Sequence, residues 1–355
     1  MLGAAIATAI RSLVPGAVFG GIGGERMEAA GVRLTGRTTG WGAMGPLEAL
    51  RRIPLMAWVE FRHVLWFVRF PWDVLVFIDF GAVHVRVAKI LRRLGYRGRI
   101  VYALPPGVFL DIEGQARAVA RVTTPLTAFA HQRDFYASLG LDIAYFGHPL
   151  VSLVAPREPR PPAPADGGTV ALLPGSRQAE LEHHLPALLA ACRLLRERRP
   201  AARFVVSAAD AEAEHTIGRH LAREPLEGVA IVRGARAALD EADAAWIASG
   251  TAVLEAALRE VPCVALYIIA AAQVPLAKRV WPKRFITLPN ILLEREVVPE
   301  LLQDAATPQA LRAALETLLA DPAQQLHGLR DVRAKLGDPD ALERCAAFIV
   351  ATARS

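Results

Sequence analysis

Residues 169–199 read TVALLPGSRQAELEHHLPALLAACRLLRERR. A short run of apolar and β-branched residues comes first, then a Pro-Gly turn, then a long stretch whose apolar positions recur at helical spacing. A strand without hydrophobic alternation, followed directly by an amphipathic helix, is the unit from which a parallel sheet covered on both faces is built. The alternation continues downstream in ARFVVSAA (202–209), GVAIVRG (228–234), ADAAWIASG (242–250) and CVALYII (263–269). Upstream, DVLVFIDF (73–80) and RIVYALPP (99–106) flank the helical pattern VHVRVAKILRRLGYRGR, and LDIAYFGH (141–148) supplies a further short strand. The expected fold class is therefore α/β with parallel sheets, in two Rossmann-like domains facing an interdomain cleft.

Length agrees, because 355 residues predict about two domains. The boundary falls at APREPRPPAPADGG, a proline-dense run ending in glycines that favours extended backbone. We expect an N-terminal domain over residues 1–153, a linker over 154–168, a C-terminal domain over 169–337 and a helix over 338–355 that docks across the domains.

Hydrophobic residues make up 53% and charged residues 21%, which excludes a disordered or low-complexity chain. Lys and Arg number 41 against 35 Asp and Glu, a net charge of +6 that suits anionic partners without choosing among phospholipids, sugar nucleotides and nucleic acids. Cys192, Cys263 and Cys345 are widely spaced, with no CxxC or Cys/His pattern, so neither a disulfide framework nor a structural zinc is expected and a reducing cytosol fits. The opening MLGAAIATAIRSLVPG lacks a basic region before its apolar stretch and does not read as a signal peptide. Val261–Ala277 is the longest uncharged run, too short to span a bilayer and broken by prolines, and reads as a buried strand leading into a helix.

Several residues could carry chemistry. In Leu172–Glu180 the Pro-Gly turn would present the backbone N–H groups of Gly175, Ser176 and Arg177 and a helix N-terminus to an anion, with the Arg177 guanidinium as a bidentate phosphate donor. An ordinary βα turn with a solvated arginine gives the same string. In Ala248–Glu255, Ser249, Gly250 and Thr251 would let a pyrophosphate approach a second helix N-terminus, and Glu255 could accept from ribose hydroxyls; a plain helix cap is the alternative. Asp79 ends an apolar run where a general base for a sugar hydroxyl would sit, or where a helix cap would. His148 could donate to a phosphate or sugar oxygen, or cap its strand. Glu180 and Tyr267 are placed at the same cleft without an assigned role. Arg51, Arg52, Trp58, Phe61, Arg62, Trp66, Phe67 and Arg69 interleave basic and aromatic side chains as an interfacial helix on anionic lipid does; a core helix with snorkelling arginines competes. No RNA-binding signature accompanies them, and no nucleic acid partner is expected.

Taken in order, FGGIGGERMEAAGVRL (19–34), WGAMGPLEAL (41–50), VFID (76–79), FGHPL (146–150), LLPGSRQAELEHHLP (172–186), ASGTAVLEAAL (248–258), PLAKR (275–279) and TLPNILLEREVVPELLQ (287–303) resemble the lipid-A-disaccharide synthase family, inverting hexosyltransferases of the GT-B type. The resemblance implies transfer of 2,3-diacylglucosamine from its UDP donor to the 6-hydroxyl of 2,3-diacylglucosamine 1-phosphate (lipid X), with UDP as the second product. It implies Asp79 as base, and Gly175, Ser176, Arg177, Ser249, Gly250, Thr251, Glu255 and Asn290 around UDP. It implies no metal or other cofactor, a place on the inner face of the cytoplasmic membrane, and leaves a homodimer open. Two segments depart from the family pattern. The family opens on a strand and a GExSGD loop, whereas Met1 falls in what reads as the following helix, and YALPPGVFLD (102–111) stands where YVSPSVWAW is usual. A GT-B enzyme for another UDP-sugar or lipid acceptor, and a catalytically silent nucleotide-sugar-binding protein, are the competing readings. Acceptor-dependent UDP release separates the three.

Overall fold

In the computed structural model, which describes residues 1–37, 58–59, 61–70, 72–107, 109–158, 160–161, 163–275, 279 and 284–355, every strand pairing is parallel. The chain divides into two compact units, one formed by Met1–Leu153 with Leu336–Ser355, the other by Val154–Lys335.

In the first unit, β1 (Gly20–Gly23) and β2 (Arg33–Arg37) form a two-stranded sheet. β3 (Val74–Ile78), β4 (Arg99–Ala103), β5 (Thr124–Thr127) and β6 (Ala144–Tyr145) form a four-stranded sheet in that order. The helix Gly81–Arg93 crosses from β3 to β4, with Val74 opposite Arg99. Its buried Val87, Ala88 and Leu91 lie at helical spacing and pack with Leu75, Phe77, Ile100 and Tyr102. A second cluster joins the first and last helices, Leu2–Leu13 and Ala341–Arg354, to this unit: Ile6 meets Leu342, Cys345 and Ile349 beside Val101 and Leu126. The C-terminal helix thus completes the core of the first unit.

The second unit holds β7 (Thr169–Leu173), β8 (Arg203–Ala208), β9 (Val229–Arg233), β10 (Ala244–Ala248), β11 (Cys263–Tyr267) and β12 (Glu300–Leu302), in the order β12-β11-β10-β7-β8-β9. β7 and β10 are buried at every residue, as central strands covered on both faces must be. Trp246 is wholly buried, and its indole N–H donates to the Leu311 carbonyl at 3.0 Å, so its one polar group is satisfied. The helix Gln178–Arg198 buries Leu181, Leu185, Leu188, Cys192 and Leu195 on one stripe, each leucine worth roughly 1.5–3 kcal/mol of burial.

The proline-rich run is more firmly held than a semi-rigid spacer. Prolines cannot donate, so arginines do the tethering: Arg157 donates to the Ala242 carbonyl, Arg160 pairs with Asp243 at 3.1 Å, and Arg199 donates to the carbonyls of Pro164 and Gly167. After β11 the chain makes a 3₁₀ turn at Ala271–Gln273, and part of the helix expected there lies outside the described residues. The three cysteines are buried and unpaired, and burial pushes their thiols up, Cys263 and Cys345 to about 12.

Candidate functional site

In the second unit the strand order reverses between β7 and β10: the chain winds outward from β7 to β9, then returns and winds the other way from β10 to β12. The carboxyl ends of the two strands flanking such a reversal open onto a crevice, because their following connections leave in opposite directions. The two turns there are Pro174–Arg177 and Ser249–Gly250, the pair that the sequence marks.

The first turn is built by Gly175, whose φ of +114° suits glycine, and a Cβ there would lie 2.4 Å from Glu180 Oε2. It directs the Ser176 and Arg177 N–H groups to Glu180 Oε2 at 3.1 and 3.3 Å, while Arg177 Nη1 donates to Oε1 at 2.7 Å. The concavity expected to receive an anion does receive one, and the carboxylate belongs to the chain itself. The Glu180 side chain is 13% exposed and that of Arg177 57%, so the guanidinium stays accessible to solvent.

The second turn differs. Ser249 N–H extends the ladder to the Leu266 carbonyl, and its hydroxyl reaches the Ile286 carbonyl at 3.4 Å. Gly250 then precedes the helix Thr251–Leu258, whose first turn carries no side-chain cap. Its first two amides have no intrahelical partner and lie at the positive end of the helix dipole, while the Val253 N–H donates to the Gly250 carbonyl at 3.2 Å. Glu255 lies one turn in, half-buried.

His184 ties the first turn to the end of β11 and was not marked by its sequence. It is wholly buried, its Nδ1 facing the Pro174 carbonyl at 2.7 Å and its Nε2 facing the Ile268 N–H at 3.0 Å. Those partners require Nδ1–H and a bare Nε2, hence a neutral ring, and burial lowers its affinity for protons. Its ring lies 5.6 Å from that of Tyr267, whose hydroxyl is pushed up by burial and by the nearby Glu180.

Asn290 is placed differently from its expected role at the nucleotide. Fully buried, it donates to the Val298 carbonyl at 2.7 Å and to Glu300 at 2.8 Å, and accepts from the amides of Val297 and Val298 at 2.7 and 2.8 Å. All four of its hydrogen-bonding positions are engaged, so it braces a corner. Glu300, also missed in the sequence, accepts there from the Ile286 and Thr287 amides and from the Thr287 hydroxyl at 2.7 Å.

In the first unit, Asp79 follows β3 with φ +53°, and Phe80 repeats that value. Two consecutive non-glycine residues in the left-handed region are strained. Two donors hold the Asp79 carbonyl: Tyr102 Oη at 2.9 Å and His84 Nδ1 at 2.7 Å. The Asp79 carboxylate is exposed. Gly81 meets Pro106 so closely that a Cβ would lie 2.3 Å from it, which fixes the loop after β4 against this turn. His148, 5% exposed, accepts from the Leu150 N–H through Nδ1 and packs edge-on to Phe129; burial lowers it to about 4. Its Nδ1 thus meets the first amide of the short helix Leu150–Leu153.

Of the interfacial segment, Arg51 and Arg52 lie outside the described residues. Residues 61–69 are helical. Val64 and His63 face inward, Trp66 and Phe67 are half-buried, and Arg62 and Arg69 are exposed. Trp58, Phe61, Leu65 and Val68, at helical spacing, are 44–56% exposed and form an apolar stripe turned to solvent. Among the described residues no helix is long and apolar enough to cross a membrane.

Comparison with known proteins agrees with this architecture. The chain is 35% identical to a lipid-A-disaccharide synthase of Pseudomonas aeruginosa over 334 residues, 92% of this chain and 88% of the relative. It is 31% identical to one from Geobacter metallireducens over 350 residues, 95% and 90% of the two chains. A UDP-GlcNAc 2-epimerase from Neisseria meningitidis, solved bound to UDP-GlcNAc, superposes with a TM-score of 0.59 at 8% identity, covering 94% of this chain and 99% of its own, which places the fold with the GT-B proteins. The family model for lipid-A-disaccharide synthetase matches residues 1–345, and the chain belongs to that family of glycosyltransferases.

Proposed function

We propose that the chain transfers 2,3-diacylglucosamine from UDP-2,3-diacylglucosamine to the 6-hydroxyl of 2,3-diacylglucosamine 1-phosphate, with inversion, releasing UDP. The observation that carries this reading is the reversal between β7 and β10, where the Pro174–Arg177 and Ser249–Gly250 turns converge. Arg177 and the uncapped amides at Thr251 supply the positive potential that a departing diphosphate requires, in an orientation set before the ligand arrives. Gly175, Ser176 and Glu255 line the same end of the sheet. Asn290 acts by bracing it. Asp79 provides the carboxylate on the acceptor side, at the position where the family resemblance places one.

The substrates carry acyl chains, and the solvent-facing stripe of Trp58, Phe61, Leu65 and Val68 with Arg62 and Arg69 fits the headgroup region of an anionic bilayer. The protein works there as a peripheral protein on the inner face of the cytoplasmic membrane.

The test is UDP release from UDP-2,3-diacylglucosamine with and without lipid X, the disaccharide being followed by mass spectrometry. Acceptor-dependent release with disaccharide is the expected result, and UDP binding without transfer would leave a silent binding protein. Arg177→Ala should weaken UDP binding about 10- to 100-fold, the worth of a charge-assisted phosphate contact. Sedimentation with phosphatidylglycerol vesicles, lost on Phe61→Glu and retained by Arg133→Glu, reads the membrane arm.

A further inference from the structure

The turn that carries Asp79 holds a second titratable group. His84 lies one turn into the helix Gly81–Arg93, and its ring is packed by Phe77 (stacked, 4.8 Å between centroids), Phe80 and Tyr102 (both edge-on, 5.8 and 5.9 Å). Its Nδ1 is spent on the Asp79 carbonyl at 2.7 Å, which fixes the tautomer with the proton on Nδ1 and the lone pair on Nε2. Among the described residues Nε2 makes no hydrogen bond, and His84 is half-buried. The ring is therefore held on three sides, oriented by a backbone carbonyl, and left with one basic nitrogen free at the carboxyl end of β3.

We infer that His84 Nε2 is the proton acceptor for the attacking hydroxyl, and that the Asp79 carboxylate orients this hydroxyl and offsets the charge of the imidazolium that forms. The inference rests on the transfer reaction proposed above. The hydroxyl O–H bond breaks and its proton passes to Nε2, and the oxygen pair forms the new bond to the anomeric carbon. The anomeric C–O bond to the diphosphate breaks, its electron pair leaves with UDP, and the imidazolium then returns its proton to water. Burial lowers the proton affinity of His84, partly offset by the Asp79 carbonyl and charge, so the ring is neutral and basic at neutral pH. Asp79 and the Tyr102 hydroxyl are the titratable groups facing it, and the latter is pushed up by burial and stays protonated.

Two variants decide the matter, each followed as kcat/KM against pH, with UDP affinity measured in parallel. His84→Asn keeps an N–H donor for the Asp79 carbonyl and removes the basic nitrogen. It should lower kcat/KM about 100-fold or more, abolish the acid limb expected of the unaltered chain below the ordinary histidine range, and leave UDP affinity unchanged. Asp79→Asn should keep that limb and move it to lower pH, since a negative charge beside the imidazole is lost. His84→Asn retaining activity within about threefold of the unaltered chain would overturn the inference, because a general base is worth about 100-fold or more. Loss of the limb in Asp79→Asn would overturn it too, even if His84→Asn failed to fold, and would return the base role to Asp79. If the unaltered chain released no UDP in response to acceptor, the transfer reading and this inference would fall together; release by that chain with an indifferent His84→Asn defeats the inference alone.

Discussion

The turns after β7 and after β3 are built on opposite plans. After β7 the backbone turns through a glycine, and the amides that the turn exposes are met by Glu180. After β3 and β4 one left-handed position goes to Gly107, but five go to Asp79, Phe80, Leu104, Phe109 and Asp111, each of which costs roughly 1–2 kcal/mol that a glycine would not. Side chains outside the turns hold that strain: Tyr102 and His84 on the Asp79 carbonyl, Gln132 on the carbonyls of Pro105 and Pro106, and His131 on Asp111 at 2.8 Å. The glycine plan is local and relaxed, and suits a binding concavity. The strained plan keeps its shape only while its holders remain, and it carries the groups proposed to move a proton.

Each unit also buries a neutral imidazole beside a strand end, and acid tests both. His148 is lowered to about 4 from an ordinary 6.5, and His184 is lowered too, so both are neutral in the folded chain where the unfolded chain is already protonated. The unfolded state then binds more protons, and stability falls as pH drops from 6.5 toward 4. For His148 the full loss is on the order of 3 kcal/mol. Amide exchange around Leu150–Leu153 should speed up over that window, and His148→Gln should flatten its pH dependence while leaving that around Ile268 intact. Equal flattening in both places would mean that the units do not respond separately.

Gly175→Ala should follow in size. The new methyl would meet the Glu180 carboxylate and its Cβ at 2.4 and 2.7 Å in a backbone region unfavourable to alanine, and a cost of about 2 kcal/mol is expected. Thermal unfolding should shift down, and UDP affinity should fall about tenfold as Ser176 and Arg177 are re-aimed. An unchanged affinity would detach the turn from the nucleotide.

The same contrast explains what the sequence discloses. Eight strands, β3, β4 and β6–β11, are legible as short apolar runs, most plainly β7 and β10, which are buried at every residue. β1 and β2 are glycine-rich and half-exposed, β5 is a four-residue TPLT and β12 a three-residue edge, so none carries a pattern above its surroundings. The Pro-Gly-Ser-Arg and Ser-Gly-Thr turns are legible because small residues between strand and helix have a narrow range of uses. His184 is illegible inside EHHLP: its partners lie 10 and 84 residues away, and only the sheet order brings them to one imidazole. His84 looks like one more residue of a helix, and its meaning depends on the strained carbonyl that it holds. Asn290 stands in a family motif and is read from it as a ligand contact, yet its amide is saturated by backbone and Glu300, which no spacing foretells.

The smallest expected effect bears most directly on the Pro174–Arg177 turn. Glu180 Oε2 takes the two amides, and Oε1 takes the guanidinium hydrogen, that a ligand phosphate would use. A phosphate entering the turn must displace this carboxylate, and it does so against one competing negative charge. Glu180→Gln keeps an acceptor oxygen and removes the charge. Stability should fall by about 0.5–1 kcal/mol, since a neutral amide caps the helix less well. UDP affinity should rise, by about two- to fivefold, because the occupant of the turn is now easier to expel. Calorimetric titration of both chains with UDP gives the sign. A fall in affinity would mean that Glu180 swings out to grip the nucleotide, and that the relaxed turn rearranges on binding more than the strained one does.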